Sequence, residues 1–168
     1  GYIFAEGIRN AFGLAFDASG NLFAAVNSGD YDHPEDFFWI REGLHYGFPW
    51  VMGGIPNPQQ YNDWNNIHEN IFISSKSYAL KQGYFHNDPG FPKVPQGVEF
   101  SPGIPNLGPD ANEYRDLITG KVMDADKTGK IISTFTPHSS PVGLVFDIKK
   151  NLPSGFTGDG FLLRYSST

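Results

Sequence analysis

The sequence predicts an all-β fold that forms part of a β-propeller. The chain of 168 residues contains 20 Gly and 13 Pro, spread along its whole length, which disfavours long helices and favours many short strands joined by turns. A hairpin pattern near the start of the chain also recurs near its end. Hydrophobic residues make up 39% of the chain and aromatic residues 15%, so the composition is that of a packed domain rather than a disordered one.

The first 26 residues contain the clearest strand patterns. We predict short strands at Tyr2–Ala5, Gly13–Phe16 and Asn21–Val26. The polar segment Asp17-Ala18-Ser19-Gly20-Asn21 joins the last two and contains a glycine, as hairpin turns do. These two strands should therefore form a β-hairpin.

The pattern returns 130 positions later in the chain. Gly143-Leu144-Val145-Phe146-Asp147 repeats Gly13-Leu14-Ala15-Phe16-Asp17, and a further segment around Phe161 echoes the one around Phe23. Internal repetition of this kind is typical of propellers and solenoids. The alternative is a chance similarity of two short hairpins.

The middle of the chain, residues 47–112, is rich in Pro, Asn and aromatic residues and has weak periodicity. It predicts long loops with two or three short strands, and such loops often carry function on a rigid scaffold. We predict a further strand at Lys130–Phe135. Blades are four-stranded antiparallel units of about 40 residues or more, so 1–168 should form about three blades of one partial propeller domain, truncated at both ends.

Charge and composition argue against several classes of function. The net charge is −6 and no basic cluster is present, which disfavours nucleic-acid binding. The absence of cysteine excludes disulfides and thiolate metal sites. No apolar run approaches the roughly 20 residues of a membrane span. An acidic surface suits a neutral substrate such as a sugar, or a divalent cation.

The most informative motif is the pair Arg9-Asn10, just before the predicted strand at Gly13–Phe16. In a propeller this position faces the central channel, where ligands bind. Arginine offers a planar fork that matches carboxylates, and asparagine offers both a donor and an acceptor. The alternative is that the two side chains only cap loop carbonyls.

These residues are part of a longer pattern. Arg9-Asn10, the strand Gly13–Phe16, the loop Asn27-Ser28-Gly29-Asp30 and the segment Gly43–Trp50 together resemble the soluble glucose/sorbosone dehydrogenase family. Members of that family are six-bladed propellers that hold pyrroloquinoline quinone (PQQ) and calcium over the central channel. The resemblance is strong over 7–50, returns over 138–144 and 156–159, and is loose over 51–135.

The resemblance implies roles for particular residues. Arg9 and Asn10 would contact PQQ, and Ser28, Gly29 and Asp30 would offer backbone carbonyls to calcium, which takes six to eight oxygen ligands. The reaction implied is oxidation of a small sugar by hydride transfer to PQQ, with an external electron acceptor and a periplasmic or secreted location. The catalytic histidine of the family would lie upstream of Gly1.

The sequence also departs from the family. Ser-Gly-Asp stands in the calcium loop where the glucose enzymes have Gln-Gly-Pro, and Phe12 replaces a polar residue. His138 precedes the strand of the second repeat, in the register that Arg9 has in the first repeat. We therefore expect it to face the channel and contact cofactor or substrate, or else to be a satisfied loop histidine. The patch 108–116 could line the channel or be an ordinary salt-bridged loop.

Three further patterns have two interpretations each. An acidic loop could bind calcium directly, with Asp30 the best candidate, or its side chains could simply be solvated; it comprises Asp30, Asp32, His33, Glu35 and Asp36. The segment 124–131 copies most of an EF-hand loop but lacks the glutamate at its twelfth position, so a hairpin turn is the better interpretation. Three aromatic side chains could stack on a sugar or pack in the core. They are Trp39, Tyr46 and Trp50.

Two other functions stay open. A metal-dependent lactonase would share the Gly-x-Leu-x-Phe-Asp hairpins but hold its metal with side-chain carboxylates and asparagine. A non-catalytic propeller would keep the ring and bind ligands without the cofactor. Arg9-Asn10 favours the dehydrogenase over the lactonase, whereas the substituted calcium loop favours the non-catalytic propeller.

Overall fold

The computed structural model describes residues 1–29, 33–60, 90–105, 113–115, 121–124, 135 and 139–165. Regular structure in these segments is almost entirely β, apart from one short 3₁₀ turn at Pro58–Gln60. The all-β class is therefore confirmed. Within the same segments, no helix has the length and apolar character needed to cross a membrane.

Nine strands follow one another along the described chain. They are β1 (Asn10–Phe16), β2 (Leu22–Asn27), β3 (Asp36–Ile40), β4 (Val51–Met52), β5 (Ile55–Pro56), β6 (Glu113–Arg115), β7 (Val122–Asp124), β8 (Pro141–Phe146) and β9 (Gly160–Arg164). The strands β1, β2 and β3 form an antiparallel sheet in that order, and β4–β5, β6–β7 and β8–β9 are antiparallel pairs. The largest sheet in the described segments thus has three strands, not the four predicted for a blade.

The hairpins β1–β2 and β8–β9 have the same construction. In each, the register shifts just before a glycine of the first strand: between Ala11 and Gly13 in β1, and between Pro141 and Gly143 in β8. An extra residue at such a shift bends the strand and increases its twist. The recurrence seen in the sequence is therefore also a recurrence of structure.

The turns of both hairpins are closed by the aspartate that follows the first strand. The Asp17 carboxylate accepts backbone hydrogen bonds at 2.8 Å from Ser19 and Asn21. Asp147 accepts them at 2.9 and 3.1 Å from the amides of 151–152. The Asn21 side chain also donates to Asp17, and it is the main reason why the pKa of that carboxyl lies below its usual value.

The main core lies on one face of the three-stranded sheet. Directly paired residues share a face, so Ala24 and Val26 of β2 lie on the same side as Phe38 and Ile40 of β3. All four are buried, together with Tyr46 from the segment after β3. Partly buried side chains from the N-terminal segment complete this layer.

The strand predicted at Tyr2–Ala5 is wrong. The N-terminal segment is not in a strand; it runs beside the residues after β3 and joins them through hydrogen bonds from Glu6 N to Leu44 O (3.0 Å) and from Tyr46 N to Glu6 O (2.9 Å). Pairing is limited to an isolated parallel bridge between Glu6 and His45. A single bridge is not enough to make this segment a β-strand.

The opposite face of the sheet packs against the hairpin β8–β9. A Cβ atom built at Gly13 would lie 3.0 Å from the Cβ atom of Leu144, so the two strands approach closely there. The rings of Phe23 and Phe146 are 5.2 Å apart, and Phe37 stacks on Phe23 at 5.5 Å. The β8–β9 hairpin thus covers this face, and the N-terminal segment covers part of the other.

Several predictions fall outside the described residues. Of the strand predicted at Lys130–Phe135, only Phe135 is described, and it forms an antiparallel bridge with Glu35. Of the EF-hand-like segment, only Asp124 is described, at the end of β7. Of the polar patch at 108–116, residues 113–115 form β6.

Candidate functional site

Arg9 and Asn10 lie at the start of β1, beside the end of β2. Asn10 pairs with Asn27 in the sheet. The Nη1 atom of Arg9 donates to the backbone carbonyls of Asn27 (3.0 Å) and Ser28 (2.7 Å). The structure therefore brings the arginine predicted to bind the cofactor into contact with the loop predicted to bind calcium.

This contact matches the alternative in which Arg9 caps loop carbonyls. The carbonyl oxygens of Asn27 and Ser28 both accept hydrogen bonds from the Arg9 Nη1 atom. Their negative ends therefore point to one place at the end of β2, which favours a positive charge there. Arg9 and Asn10 are both exposed. The guanidinium thus holds the loop and is also accessible to a ligand in solvent.

Two carboxylates are buried near the loop, and one of them holds its other side. Ser28 donates its amide to the Glu35 carboxylate and its hydroxyl to the Pro34 carbonyl. Asp36 accepts a hydrogen bond from the Gly53 amide at 2.7 Å. The interpretation that these acidic side chains are solvated is wrong for Glu35 and Asp36, which are each 4% exposed. Both accept backbone amides, which offsets the cost of burying their polar groups.

His33 lies fully buried beneath the same loop. Its Nδ1 atom lies 3.9 Å from a Cβ atom built at Gly29, and Met52 is the other neighbour of that position. Burial lowers the pKa of His33 from 6.5 to about 3, and the positive charge of Arg9 adds to this effect. The imidazole is therefore neutral at physiological pH. Sequence reasoning placed His33 in a solvated loop and missed this position.

The start of β8 is attached to the same site. The side-chain amide of Asn27 donates to the carbonyl of Pro141 at 3.0 Å. Because the hairpins repeat with an offset of 130 positions, Ser139 takes the register of Arg9, and the register assigned to His138 was wrong by one residue. The Ser139 side chain is 5% exposed, and its hydroxyl has no hydrogen-bond partner in the described part of the chain.

Of the remaining predicted site residues, the structure describes some and not others. Ser28 and Gly29 lie at the site, directly after β2. Asp30 and His138 lie outside the described residues. Among the residues that are described, no three His, Asp or Glu side chains are grouped so that they could hold a metal ion. The oxygen atoms that converge at this site are the backbone carbonyls of Asn27 and Ser28.

The aromatic side chains have separate roles. Tyr46 is 3% exposed and its hydroxyl donates to the Trp39 carbonyl at 2.7 Å. Trp50 is buried and stacks on Phe100, with ring centres 5.8 Å apart. Tyr46 and Trp50 are thus packing residues. Trp39 is partly exposed, and the Arg41 guanidinium lies 5.1 Å from its ring centre.

The chain was compared with protein-family models, with curated proteins and with solved structures, and none of the three comparisons gave a match. The resemblance to the glucose/sorbosone dehydrogenases therefore depends on the motif residues themselves, over 7–50, 138–144 and 156–159.

Proposed function

We propose that this chain is part of a PQQ-dependent sugar dehydrogenase and that it contributes about three blades to a six-bladed β-propeller. PQQ and calcium would bind where β1 begins and β2 ends. The observation that carries the proposal is the contact of Arg9 with the carbonyls of Asn27 and Ser28. It joins the two parts of the family motif that are separated by 18 and 19 positions in the sequence.

The loop after β2 suits a hard cation. The carbonyls of Asn27 and Ser28 already share a positive partner at 3.0 and 2.7 Å, so their oxygens converge. Calcium prefers six to eight oxygen ligands, so these carbonyls would supply part of the shell and the carboxylates of PQQ another part. The buried carboxylate of Glu35 supports the loop through the Ser28 amide.

Arg9 and Asn10 suit an anionic, planar cofactor. The guanidinium would bind a carboxylate of PQQ through its planar fork, and Asn10 would orient the ring system with one donor and one acceptor. When bound, PQQ supplies the group that accepts the hydride of the sugar. His33 is an unsuitable base for the sugar hydroxyl, because it is fully buried and its pKa is about 3.

The proposed propeller is supported by the way in which the two hairpins pack. They share the shifted register before Gly13 and Gly143, and they lie face to face with Leu144 over Gly13. Adjacent blades of a propeller are repeats that contact their neighbours in the same manner.

A non-catalytic ligand-binding propeller is the second candidate. It is favoured by the same contact, because the carbonyls of Asn27 and Ser28 already have a positive partner in Arg9. No arrangement in the described segments favours the lactonase, whose metal would need carboxylate ligands.

Titration of the chain with PQQ, in calcium or in a chelator, separates these candidates. We expect binding that requires calcium, and we expect Arg9→Ala to weaken it by about 1.5–3 kcal/mol, the usual loss for a hydrogen bond to a charged group. Quinone absorbance and calorimetry measure the affinity. Arg41→Ala is the matched control, because Arg41 is an exposed arginine at the opposite end of the sheet.

The outcomes are distinct. Equal affinity in wild type and Arg9→Ala would remove Arg9 from the site. Binding that is unaffected by the chelator would remove calcium. A wild-type chain that does not bind PQQ in calcium would contradict the dehydrogenase and favour the non-catalytic propeller.

A further inference from the structure

The two stacked hairpins leave an apolar surface uncovered at each end. The first, called the β1 surface, consists of Leu14 and Phe16, which are 59% and 57% exposed. The second, called the β9 surface, consists of Val145, Phe161 and Leu163, which are 60%, 41% and 67% exposed. Contiguous apolar side chains at this level of exposure indicate an interaction site.

The contact inside the chain shows how such surfaces fit together. Leu144 of β8 lies over Gly13 of β1, where the missing side chain leaves room for it. Beside this pair, the ring of Phe146 lies 5.2 Å from that of Phe23. One hairpin thus presents a leucine and a phenylalanine, and the other presents a glycine and a phenylalanine.

The repeat assigns a counterpart to each of these four residues. Phe161 pairs with Val145 in β9–β8 as Phe23 pairs with Ala15 in β2–β1. The corresponding residues of the two hairpins are Leu14 with Leu144, Phe16 with Phe146, Gly13 with Gly143, and Phe23 with Phe161.

Each open surface therefore carries the counterparts of one side of the contact between the two hairpins. The β1 surface has Leu14 and Phe16, which correspond to the leucine and phenylalanine. The β9 surface has Phe161 and, beside it, Gly143, where an added Cβ atom would meet only the Leu163 side chain, at 3.6 Å. Phe16 also borders an open groove of about 470 Å³, whose other apolar walls are Phe4, Leu22, Trp39 and Ile40.

We propose that the chain binds a second copy of itself head to tail, with the β9 surface of one copy on the β1 surface of the other. Phe161 of one copy would pack against Phe16 of the second, and Leu14 of the second would lie over Gly143 of the first. The contact follows from the register and packing of the hairpins and does not depend on the proposed activity.

A head-to-tail contact joins two different surfaces, so it leads either to a closed ring or to an open chain of copies. Two copies joined at both pairs of surfaces form a closed ring.

Sedimentation velocity over a series of protein concentrations tests the contact. The wild-type chain should self-associate, and Phe161→Asp and Phe16→Asp should each weaken association roughly thirtyfold or more, as loss of a central aromatic does. Ile148→Asp is the control: Ile148 is 53% exposed in the turn after β8 and belongs to neither surface. Circular dichroism melts establish that each variant is folded.

Mixing the two variants tests the head-to-tail geometry. Phe16→Asp keeps the β9 surface and Phe161→Asp keeps the β1 surface, so an equimolar mixture should form a heterodimer although each variant alone stays monomeric. The heterodimer should be weaker than the wild-type dimer, because only one of its two contacts can form. A contact between identical surfaces, or general stickiness, would not be restored by mixing.

Three results would overturn the proposal. They are a wild-type chain that is monomeric at all concentrations, a mixture of variants that stays monomeric, and a control variant that loses association as much as Phe161→Asp does. If an aspartate variant unfolds, Gly143→Ala is used in its place. The alanine methyl group would occupy the space that Leu14 of the second copy needs, and so weaken association. The free chain has room for this methyl group in the described structure.

Discussion

The groups buried beneath the loop after β2 define the candidate site at the scale of single residues. Glu35 and Asp36 accept backbone amides, and His33 is held neutral by its burial. None of these three groups is placed where it can meet a substrate directly, because all are at least nine-tenths buried. Glu35 holds the loop through the Ser28 amide, whereas Arg9 and Asn10 are exposed and can meet a ligand.

Acid should destabilise the wild-type chain more than a His33→Gln variant. The folded-state pKa of about 3 lies below the ordinary value of 6.5, so the unfolded chain binds a proton first as the pH falls. The stability contributed by neutral His33 is fully present above the unfolded pKa. It is lost between about pH 6.5 and about pH 3, by about 1.4 kcal/mol per pH unit.

Urea unfolding of both proteins at a series of pH values measures this difference. The carboxylates are common to both proteins, so their contribution cancels when the two curves are subtracted. Curves that stay parallel from about pH 7 to about pH 5 would contradict a buried neutral His33.

The repeated hairpin is the unit of construction at the scale of elements. Both copies combine a register shift, a glycine after the shift and an aspartate that closes the turn. Their environments differ, because Gly13 lies against β8 while Gly143 faces open space apart from Leu163. Equivalent glycines should therefore respond differently to the same substitution.

Gly13→Ala should destabilise the chain by about 1–3 kcal/mol, because its methyl group would lie 3.0 Å from the Leu144 side chain and 3.1 Å from the Leu144 amide nitrogen. Gly143→Ala is the matched control and should be neutral or slightly stabilising, since alanine reduces the freedom of the unfolded chain. Thermal unfolding at low protein concentration measures both. Equal losses in the two variants would mean that the hairpins do not pack face to face.

At the scale of the whole molecule, the described segments form a stack with exposed apolar side chains at both ends. The β8–β9 hairpin covers one face of the three-stranded sheet, and the N-terminal segment covers part of the other. The open surfaces at the two ends differ from each other, which is why a head-to-tail contact is favoured over one between identical surfaces.

Small-angle X-ray scattering should distinguish a closed pair from an open one. A compact monomer of this length has a radius of gyration of about 15 Å, and a compact pair has about 20 Å. The radius of gyration of the wild type should reach that of the pair and remain there as the concentration rises. The radius of the Phe161→Asp variant should stay near that of the monomer. A radius that keeps growing with concentration would contradict the closed ring and indicate open chains of copies.

Sequence reasoning was most successful where the causes are local. The strands around Leu14 and Val26, their joining turn and the second hairpin were predicted, because alternation of side chains and turn chemistry act over a few residues. The aspartate at the end of each first strand is part of the same local pattern. The register of the second repeat was the weaker part, since Ser139 and not His138 corresponds to Arg9.

The sequence by itself determined the all-β class, the two hairpins and the residues that carry the family resemblance. Only the tertiary structure decided that Tyr2–Ala5 lies outside any strand, that His33, Glu35 and Asp36 are buried, and that Arg9 contacts the carbonyls of Asn27 and Ser28. Each of these depends on partners distant in the chain, such as Leu44 for the N-terminal segment and Gly53 for Asp36. A local pattern does not specify such partners, because burial and hydrogen bonding are properties of the folded packing and not of the segment alone.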